Sequence, residues 1–144
     1  SVSFVKTIKT KSGIWLNLFL HLPLPILHQP LDATQPVLDA IDYFNANGGG
    51  SVLDGGITIY AAGNSESSGQ WYPGCYSGTF SVAATTHNDT KAWYSNYDTW
   101  VDVSAPGGET DSVTSQGVLS TYTGSTYNFL QGTSMACPHT SGVA

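Results

Sequence analysis

The amino-acid sequence predicts an α/β fold with a mostly parallel sheet, and two observations support this prediction. Residues 34–47 have the apolar spacing of an amphipathic helix, and residues 56–62 follow as a short apolar segment typical of a buried strand. A helix that leads into a core-facing strand is half of a β-α-β unit, which places its strands parallel. Residues 80–85 and 100–104 are two further strand candidates, and residues 106–117 have the composition of a loop.

The helix over residues 34–47 has its own start and stop signals. Thr34 is a suitable N-cap, Pro36 fits the first turn, and Gly48 begins a three-glycine stretch that ends the helix. The predicted apolar face, which we expect to pack on the sheet, consists of Val37, Ile41 and Phe44, widened by Leu38 and Ala40.

The composition fits one folded domain. The chain has 144 residues, of which 40% are hydrophobic and only 10% are charged, and this balance argues against disorder. The net charge is −6 and arginine is absent, so the chain lacks the basic surface that a nucleic-acid partner requires. Two cysteines, Cys75 and Cys137, are too few for a disulfide scaffold.

Residues 1–31 differ in character from the rest of the chain. Three lysines precede the apolar run of residues 14–20, as in a secretory signal peptide. Two prolines follow the run, however, and no small-residue cleavage site comes after it. The run is too short to cross a bilayer, so we expect no membrane-spanning segment.

The residues around Ser134 have the chemistry of acyl transfer. A helix is predicted from Ser134 to Ala144, so this serine lies in a first turn, where the helix dipole is positive and N–H groups have no intrahelical partner. A serine hydroxyl beside such a donor is the layout of a nucleophile with an oxyanion site. On residue types alone, an ordinary capped helix start is the commoner explanation.

Asn64 is a second candidate donor. It lies in the turn after the strand over residues 56–62, where its side-chain NH2 could donate to a developing oxyanion. Taken alone, an asparagine in this position is more often a plain turn residue. The catalytic interpretation becomes specific only when this turn and the Ser134 segment are considered together.

Five segments resemble the subtilisin-like serine proteases, in that family's order and at plausible spacing. The segments are GTSMACPHTSG (132–142), AAGN (61–64), WYPGCY (71–76), AWYSNY (92–97) and VDVSAPG (101–107). The resemblance covers about residues 36–144, and Asp98 stands where the family usually has glycine. It implies a three-layer α/β fold with a mostly parallel central sheet, of which this chain is an incomplete fragment.

The resemblance also implies a role for individual residues. Ser134 is the nucleophile, and Asn64 and the Ser134 N–H form the oxyanion hole. One wall of the primary specificity pocket corresponds to Ala61, Ala62 and Gly63, with Gly74 nearby. A weak calcium or monovalent-cation site, which some members have, corresponds to Gly74, Tyr76, Thr79 and Asp102. No cofactor is required for the reaction.

His139 is close to Ser134 in sequence, but the resemblance implies a structural role for it. Five residues along a helix correspond to a rotation of about 140°, so its side chain is expected on another side of the helix. We therefore predict a packed helix residue and not the catalytic base.

The triad acid and base are not found in this sequence. The family places them before the serine, in D-[ST]-G and H-G-[TS] strings, and neither string occurs here. The strand ending in S-[LWF]-G, which pairs with substrate in the family, is also missing. We expect the acid and base upstream of Ser1, and we expect this polypeptide alone to be unstable and inactive.

The chain is divided into two parts on this basis. Residues 34–144 are a partial peptidase domain, truncated at both ends, whereas residues 1–33 do not follow the family pattern. A frame-shifted or wrongly joined reading frame is one explanation of residues 1–33, and a genuine signal-like segment is the alternative.

Two other functions remain open from the residues alone. A non-catalytic homologue would bind peptide or carbohydrate through exposed aromatic side chains, for which the candidates are Trp71, Tyr72, Trp93, Tyr94, Tyr97 and Trp100. A thiol enzyme would use Cys137, for which no suitable base is apparent. The resemblance instead implies a monomeric endopeptidase that acts on polypeptides, secreted or at the cell surface, with no nucleic-acid or membrane partner.

Overall fold

The fold was analysed in a computed structural model that describes the backbone of residues 2–9, 15–22, 31–48 and 55–144, and the side chains of residues 35–48 and 55–144. The elements in chain order are β1 (Val2–Lys9), β2 (Trp15–Leu22), α1 (Leu31–Asn47), β3 (Ile59–Ala61), β4 (Phe80–Thr85), β5 (Val103–Pro106), β6 (Val118–Tyr122), β7 (Thr126–Leu130) and α2 (Thr133–Val143).

Strands β3, β4 and β5 form a parallel sheet in that order, which confirms the predicted parallel arrangement. Strand β4 has the predicted bounds, and β3 is shorter than predicted. Strand β5 begins later than predicted because the chain turns just before it, with the Val101 N–H bonded to the Asp98 carbonyl at 3.1 Å.

A helix packs against each face of the sheet: α2 lies across all three strands, and α1 packs against Tyr60 of β3. Side chains alternate between the faces of a strand, so Ile59 and Ala61 lie opposite Tyr60. Ile59 and Ala61 belong to a buried cluster with Ala136 and Cys137 of α2. Tyr60 packs instead with the buried residues of α1. The result is the three-layer architecture that the family resemblance implied.

Helix α1 differs from its prediction in two respects. It begins at Leu31, so Pro36 lies inside the helix and not in its first turn, and Thr34 is not the N-cap. Its buried residues are Leu38 and Ile41, whereas Val37 is 44% exposed and Ala40 is also exposed. The buried face of the helix is therefore centred on Leu38 and Ile41, which pack with Tyr60.

Two antiparallel hairpins were not predicted. Strands β1 and β2 pair with each other, from Val2 opposite Leu22 to Lys9 opposite Trp15. Strands β6 and β7 form a second hairpin immediately before α2. The hypothesis of a misread start for residues 1–33 stays a hypothesis, as does the division of the chain into two parts.

Cys75 and Cys137 are not joined in a disulfide. Within the described part of the chain, no helix is both long and apolar enough to cross a membrane.

Candidate active site

Ser134 is the second residue of α2 and is only 6% exposed. The helix begins where predicted to within one residue. Its N-cap, Gly132, has φ +148° and ψ 159°, a backbone conformation that only glycine adopts readily. Two bonds to the Gly132 carbonyl, from the N–H groups of Met135 (2.9 Å) and Ala136 (3.3 Å), close the first turn.

Asn64 and Thr133 hold the two predicted catalytic segments together. The Asn64 Oδ1 atom accepts hydrogen bonds from the Thr133 N–H (2.9 Å) and from the Thr133 hydroxyl (2.8 Å). The same hydroxyl accepts the N–H of Gly63 at 3.2 Å. The turn after β3 is therefore joined to the start of α2, although the two segments are 69 residues apart in sequence.

The two predicted oxyanion donors border the same small space. A methyl carbon added to Gly132 would lie 3.4 Å from Asn64 Nδ2 and 3.7 Å from the backbone nitrogen of Ser134. The absence of a side chain on Gly132 therefore keeps this space open. The structure thus brings Ser134 and Asn64 together as the sequence predicted, while their catalytic roles stay predictions.

The four residues predicted to line the specificity pocket are also neighbours. Ala61 and Ala62 are buried at the end of β3, and Gly63 follows with φ +106°. Gly74 packs against this segment, since a Cβ atom on it would lie 3.3 Å from the Ala61 carbonyl oxygen. The structure places these residues in one wall beside Asn64, and contact with substrate stays a prediction.

The residues of the predicted cation site carry oxygen atoms that make hydrogen bonds within the protein. The carbonyl oxygens of Pro73, Gly74 and Tyr76 all lie 2.7–3.1 Å from the Thr79 hydroxyl, which therefore occupies the point where they converge. The Asp102 carboxylate instead accepts the N–H of Ser81 at 2.7 Å. Carbonyl and carboxylate oxygens are suitable ligands for calcium, and a weak cation site at Gly74, Tyr76, Thr79 and Asp102 stays a prediction.

His139 differs from its prediction as a packed residue, because its side chain is exposed. Its Nδ1 atom lies 2.8 Å from the carbonyl oxygen of Met135, one turn earlier in α2. Helical side chains lean toward the N-terminus of the helix, so the ring lines the same shallow depression as Ser134 and not another side. The structural role that the resemblance implied for it stays a prediction.

Cys137 has the properties of a core residue. It is fully buried, and burial raises the pKa of its thiol to about 12. A thiolate is the reactive form of cysteine, so this environment disfavours the thiol-enzyme alternative.

The sequence analysis named Tyr94 only as a candidate exposed aromatic residue, whereas the structure buries it beside Gly132. Its hydroxyl donates to the Gly108 carbonyl (2.6 Å) and accepts the N–H of Gly132 (2.9 Å). Burial raises the pKa of this phenol to about 12, so the hydroxyl stays protonated at neutral pH. Tyr94 lies in the AWYSNY segment, and neither that resemblance nor its aromatic character predicted these two hydrogen bonds.

The fold, the serine at the start of α2 and the asparagine bonded to Thr133 are the features that the family resemblance implied. A family model described as "Subtilase family" matches residues 28–144, and the chain therefore belongs to the subtilase family.

Curated relatives and solved structures agree with this assignment. Over 90 residues the chain is 44% identical to thermitase of Thermoactinomyces vulgaris, a match covering 62% of this chain and 29% of thermitase. It is also 44% identical over 99 residues to a thermostable alkaline protease of Halalkalibacterium halodurans, covering 69% of this chain and 24% of that protein.

Among solved structures, a protease of Pseudoalteromonas arctica PAMC 21717 matches with a TM-score of 0.66 and 38% identity, covering 80% of this chain and 34% of the other. A cold-adapted subtilisin-like serine proteinase matches with a TM-score of 0.58 and 30% identity, covering 80% and 36%. The chain thus spans about a third of these structures and a smaller share of the curated relatives.

Proposed function

We propose that this chain supplies the nucleophile, the oxyanion hole and part of the specificity pocket of a serine endopeptidase. The observation that carries the proposal is the shared space at Gly132, which Asn64 Nδ2 and the Ser134 backbone nitrogen both border. Two N–H donors beside a serine are the arrangement that stabilises the tetrahedral intermediate of acyl transfer. The substrates are polypeptides, the protein acts as a monomer, and no cofactor takes part.

In this mechanism, the Ser134 oxygen forms a bond to the carbonyl carbon of the scissile peptide. Its proton passes to a histidine base, and the carbonyl oxygen becomes an oxyanion that accepts bonds from Asn64 and the Ser134 N–H. Collapse of the intermediate breaks the C–N bond, and the amine leaves with the proton from the base. Water then attacks the acyl-enzyme in the same way and restores the Ser134 hydroxyl.

We further propose that the acid and the base lie in a part of the protein before Ser1. Triad members act as a unit, and loss of one lowers turnover by about 10⁴- to 10⁶-fold. The 144-residue polypeptide alone should therefore show almost no turnover, whereas the complete protein should be active. Secretion or display at the cell surface is part of the same proposal.

A non-catalytic binding module is less well supported by the aromatic residues. Tyr94 is only 3% exposed and is engaged with the backbone on both sides of its hydroxyl. Trp93 is half exposed, but its indole N–H is bonded to the Asp111 carboxylate at 2.5 Å. These two side chains therefore serve the structure, and the candidate aromatic surface is smaller than the sequence indicated.

The test uses the complete protein that contains this chain. A fluorophosphonate probe should label Ser134, as located by peptide mass mapping, and hydrolysis of a peptide amide should disappear in Ser134→Ala. Asn64→Leu should lower kcat by about 10²- to 10³-fold with little change in KM. The matched control is Asn88→Leu, because Asn88 is an exposed turn residue outside the site. Labelling of another residue, or full activity in Ser134→Ala, would overturn the proposal.

A further inference from the structure

We propose that Asn96 is a positioning residue for catalysis, which fixes the turn that presents Asn64. We call residues 62–67 the oxyanion turn, because they carry Asn64 from the end of β3. This inference rests on the proposed function, since it concerns how the oxyanion donor is held. Asn96 is fully buried, at 0% exposure, and lies 32 residues beyond Asn64 in sequence.

Asn96 makes four hydrogen bonds to the oxyanion turn. Its Nδ2 donates to the Ala62 carbonyl (3.0 Å), and its Oδ1 accepts the N–H groups of Ser65 (2.9 Å) and Ser67 (3.2 Å). Its backbone N–H donates to the Gly63 carbonyl at 2.9 Å. One residue thus contacts the turn before and after Asn64, so it restrains both sides of that position.

The oxyanion turn needs this restraint because it extends past the sheet. The Ala62 N–H still bonds to the Val82 carbonyl of β4, at 2.9 Å. Beyond that point the bonds of the turn go to residues 94–97 and to Thr133, with the Glu66 N–H bonded to the Tyr94 carbonyl at 2.9 Å. The Asn96 amide supplies a buried donor for the Ala62 carbonyl and a part-buried acceptor for the N–H groups of Ser65 and Ser67.

Asn96 is in turn fixed to the central strand. The Ser95 hydroxyl accepts the N–H of Ala84 in β4 (2.9 Å) and donates to the carbonyl of Asn96 (3.0 Å). The fit is close, since a Cβ atom on Gly63 would come within 2.5 Å of Asn96 Nδ2. A continuous set of hydrogen bonds therefore connects the sheet, through Asn96, to the turn that holds Asn64, and it is buried from Ala84 to Ala62.

Only an amide side chain of this length satisfies these partners. Aspartate would keep the acceptor for Ser65 and Ser67 but would place a carboxylate oxygen against the Ala62 carbonyl. Alanine would leave all three backbone groups without the side-chain bonds they now make. Both changes loosen the oxyanion turn, and a misplacement of about 1 Å in a catalytic group can lower turnover about 10²-fold.

The test is a double-mutant cycle between Asn96 and Asn64 in the complete protein. Asn96→Ala and Asn96→Asp should each lower kcat by about 10- to 100-fold while KM changes less than about twofold, because Asn96 does not contact the peptide. In the Asn64→Ala background the same changes should cost less than about twofold in kcat, since residues that act through one another are not additive. A purely structural role would lower activity equally in both backgrounds.

Two further variants separate positioning from loss of stability. Thr58→Val removes a buried hydroxyl that is bonded to Asn45 and not to the oxyanion turn, so it should lower the melting temperature without lowering kcat. Ser95→Ala removes only the attachment of Asn96 to β4. Ser95→Ala replaces the Asn96 variants in the test if those do not fold. It should lower kcat by a smaller factor, and this loss should again be absent in the Asn64→Ala background.

The outcomes distinguish the two proposals. No turnover by the unmodified protein would overturn the proposed function and the role of Asn96 with it. Turnover with additive losses for Asn96 and Asn64 would overturn the role of Asn96 alone. Turnover with losses that disappear in the Asn64→Ala background would support both.

Discussion

Replacing Gly132 by alanine should affect turnover through the shape of the oxyanion site more than it affects the stability of the fold. The backbone of Gly132 has φ +148° and ψ 159°, a region that is almost exclusive to glycine. Holding alanine there costs on the order of 1–3 kcal/mol. We therefore expect Gly132→Ala to lower the melting temperature by several degrees, with the protein still folded at room temperature.

The larger effect should be on turnover. The new methyl group would lie 3.4 Å from Asn64 Nδ2 and 3.7 Å from the Ser134 nitrogen, which are ordinary contact distances. An oxyanion, however, has to come within about 2.7–3.1 Å of the same two donors. The methyl group and the oxyanion cannot share this space. Loss of one donor lowers kcat by about 10²- to 10³-fold, so we expect at least that loss.

The assay compares kcat, KM and thermal unfolding in Gly132→Ala and Gly124→Ala. Gly124 also has a positive φ, of +73°, but a Cβ atom on it would have no neighbour within 4 Å. The control should therefore lose some stability through backbone strain and keep its kcat. A folded Gly132→Ala protein with kcat within about threefold of the original would refute the reasoning. An equal kcat loss in Gly124→Ala would refute it as well.

Three further outcomes are expected. Thr133→Val, which removes the hydroxyl bonded to Asn64, should lower kcat about tenfold at constant KM, whereas Thr133→Ser should not; a change confined to KM would contradict this. The pKa of Tyr94 is about 12 in the folded protein and about 10 when unfolded, so its contribution to stability is present below pH 10 and is lost as the pH rises toward 12. Between pH 10 and pH 12 the denaturant midpoint should therefore fall more steeply in the original protein than in Tyr94→Phe. An equal fall of the midpoint in the two proteins would contradict this expectation. Iodoacetamide at pH 8 should alkylate the partly exposed Cys75 well before the buried Cys137, and equal rates by mass spectrometry would argue against the described core.

The sequence predicted those features that depend on local patterns. The bounds of β4 follow from an apolar segment and the start of α2 from Ser134 as a first-turn residue, and both agree with the structure to within one residue. The family resemblance brought Ser134 and Asn64 into one site, which local patterns alone did not establish. The bounds of β5 were harder to predict because Trp100 and Val101 are apolar yet belong to a turn.

Features that depend on distant contacts could not be predicted. Most residues of β6 and β7 are exposed, so the sequence of this hairpin shows no alternation between a buried and a solvent face. The role of Asn96 depends on backbone groups about 30 residues away in another loop. The contacts of the Thr79 hydroxyl could not be predicted either, because the folded loop, and not the residue type, places it among three carbonyl oxygens.

The contacts of Thr133 also determine which way round the Asn64 amide must stand. A primary amide can rotate by 180° and exchange its oxygen with its NH2 group at little cost when its neighbours can both donate and accept. The Thr133 backbone N–H can only donate, so it requires the Asn64 oxygen on its side, and the Thr133 hydroxyl donates to the same oxygen. The rotated amide would therefore place its NH2 group against the Thr133 backbone N–H, which is also a donor. The NH2 group is left on the side of Gly132 before any substrate arrives, so no reorientation of this side chain has to accompany the reaction.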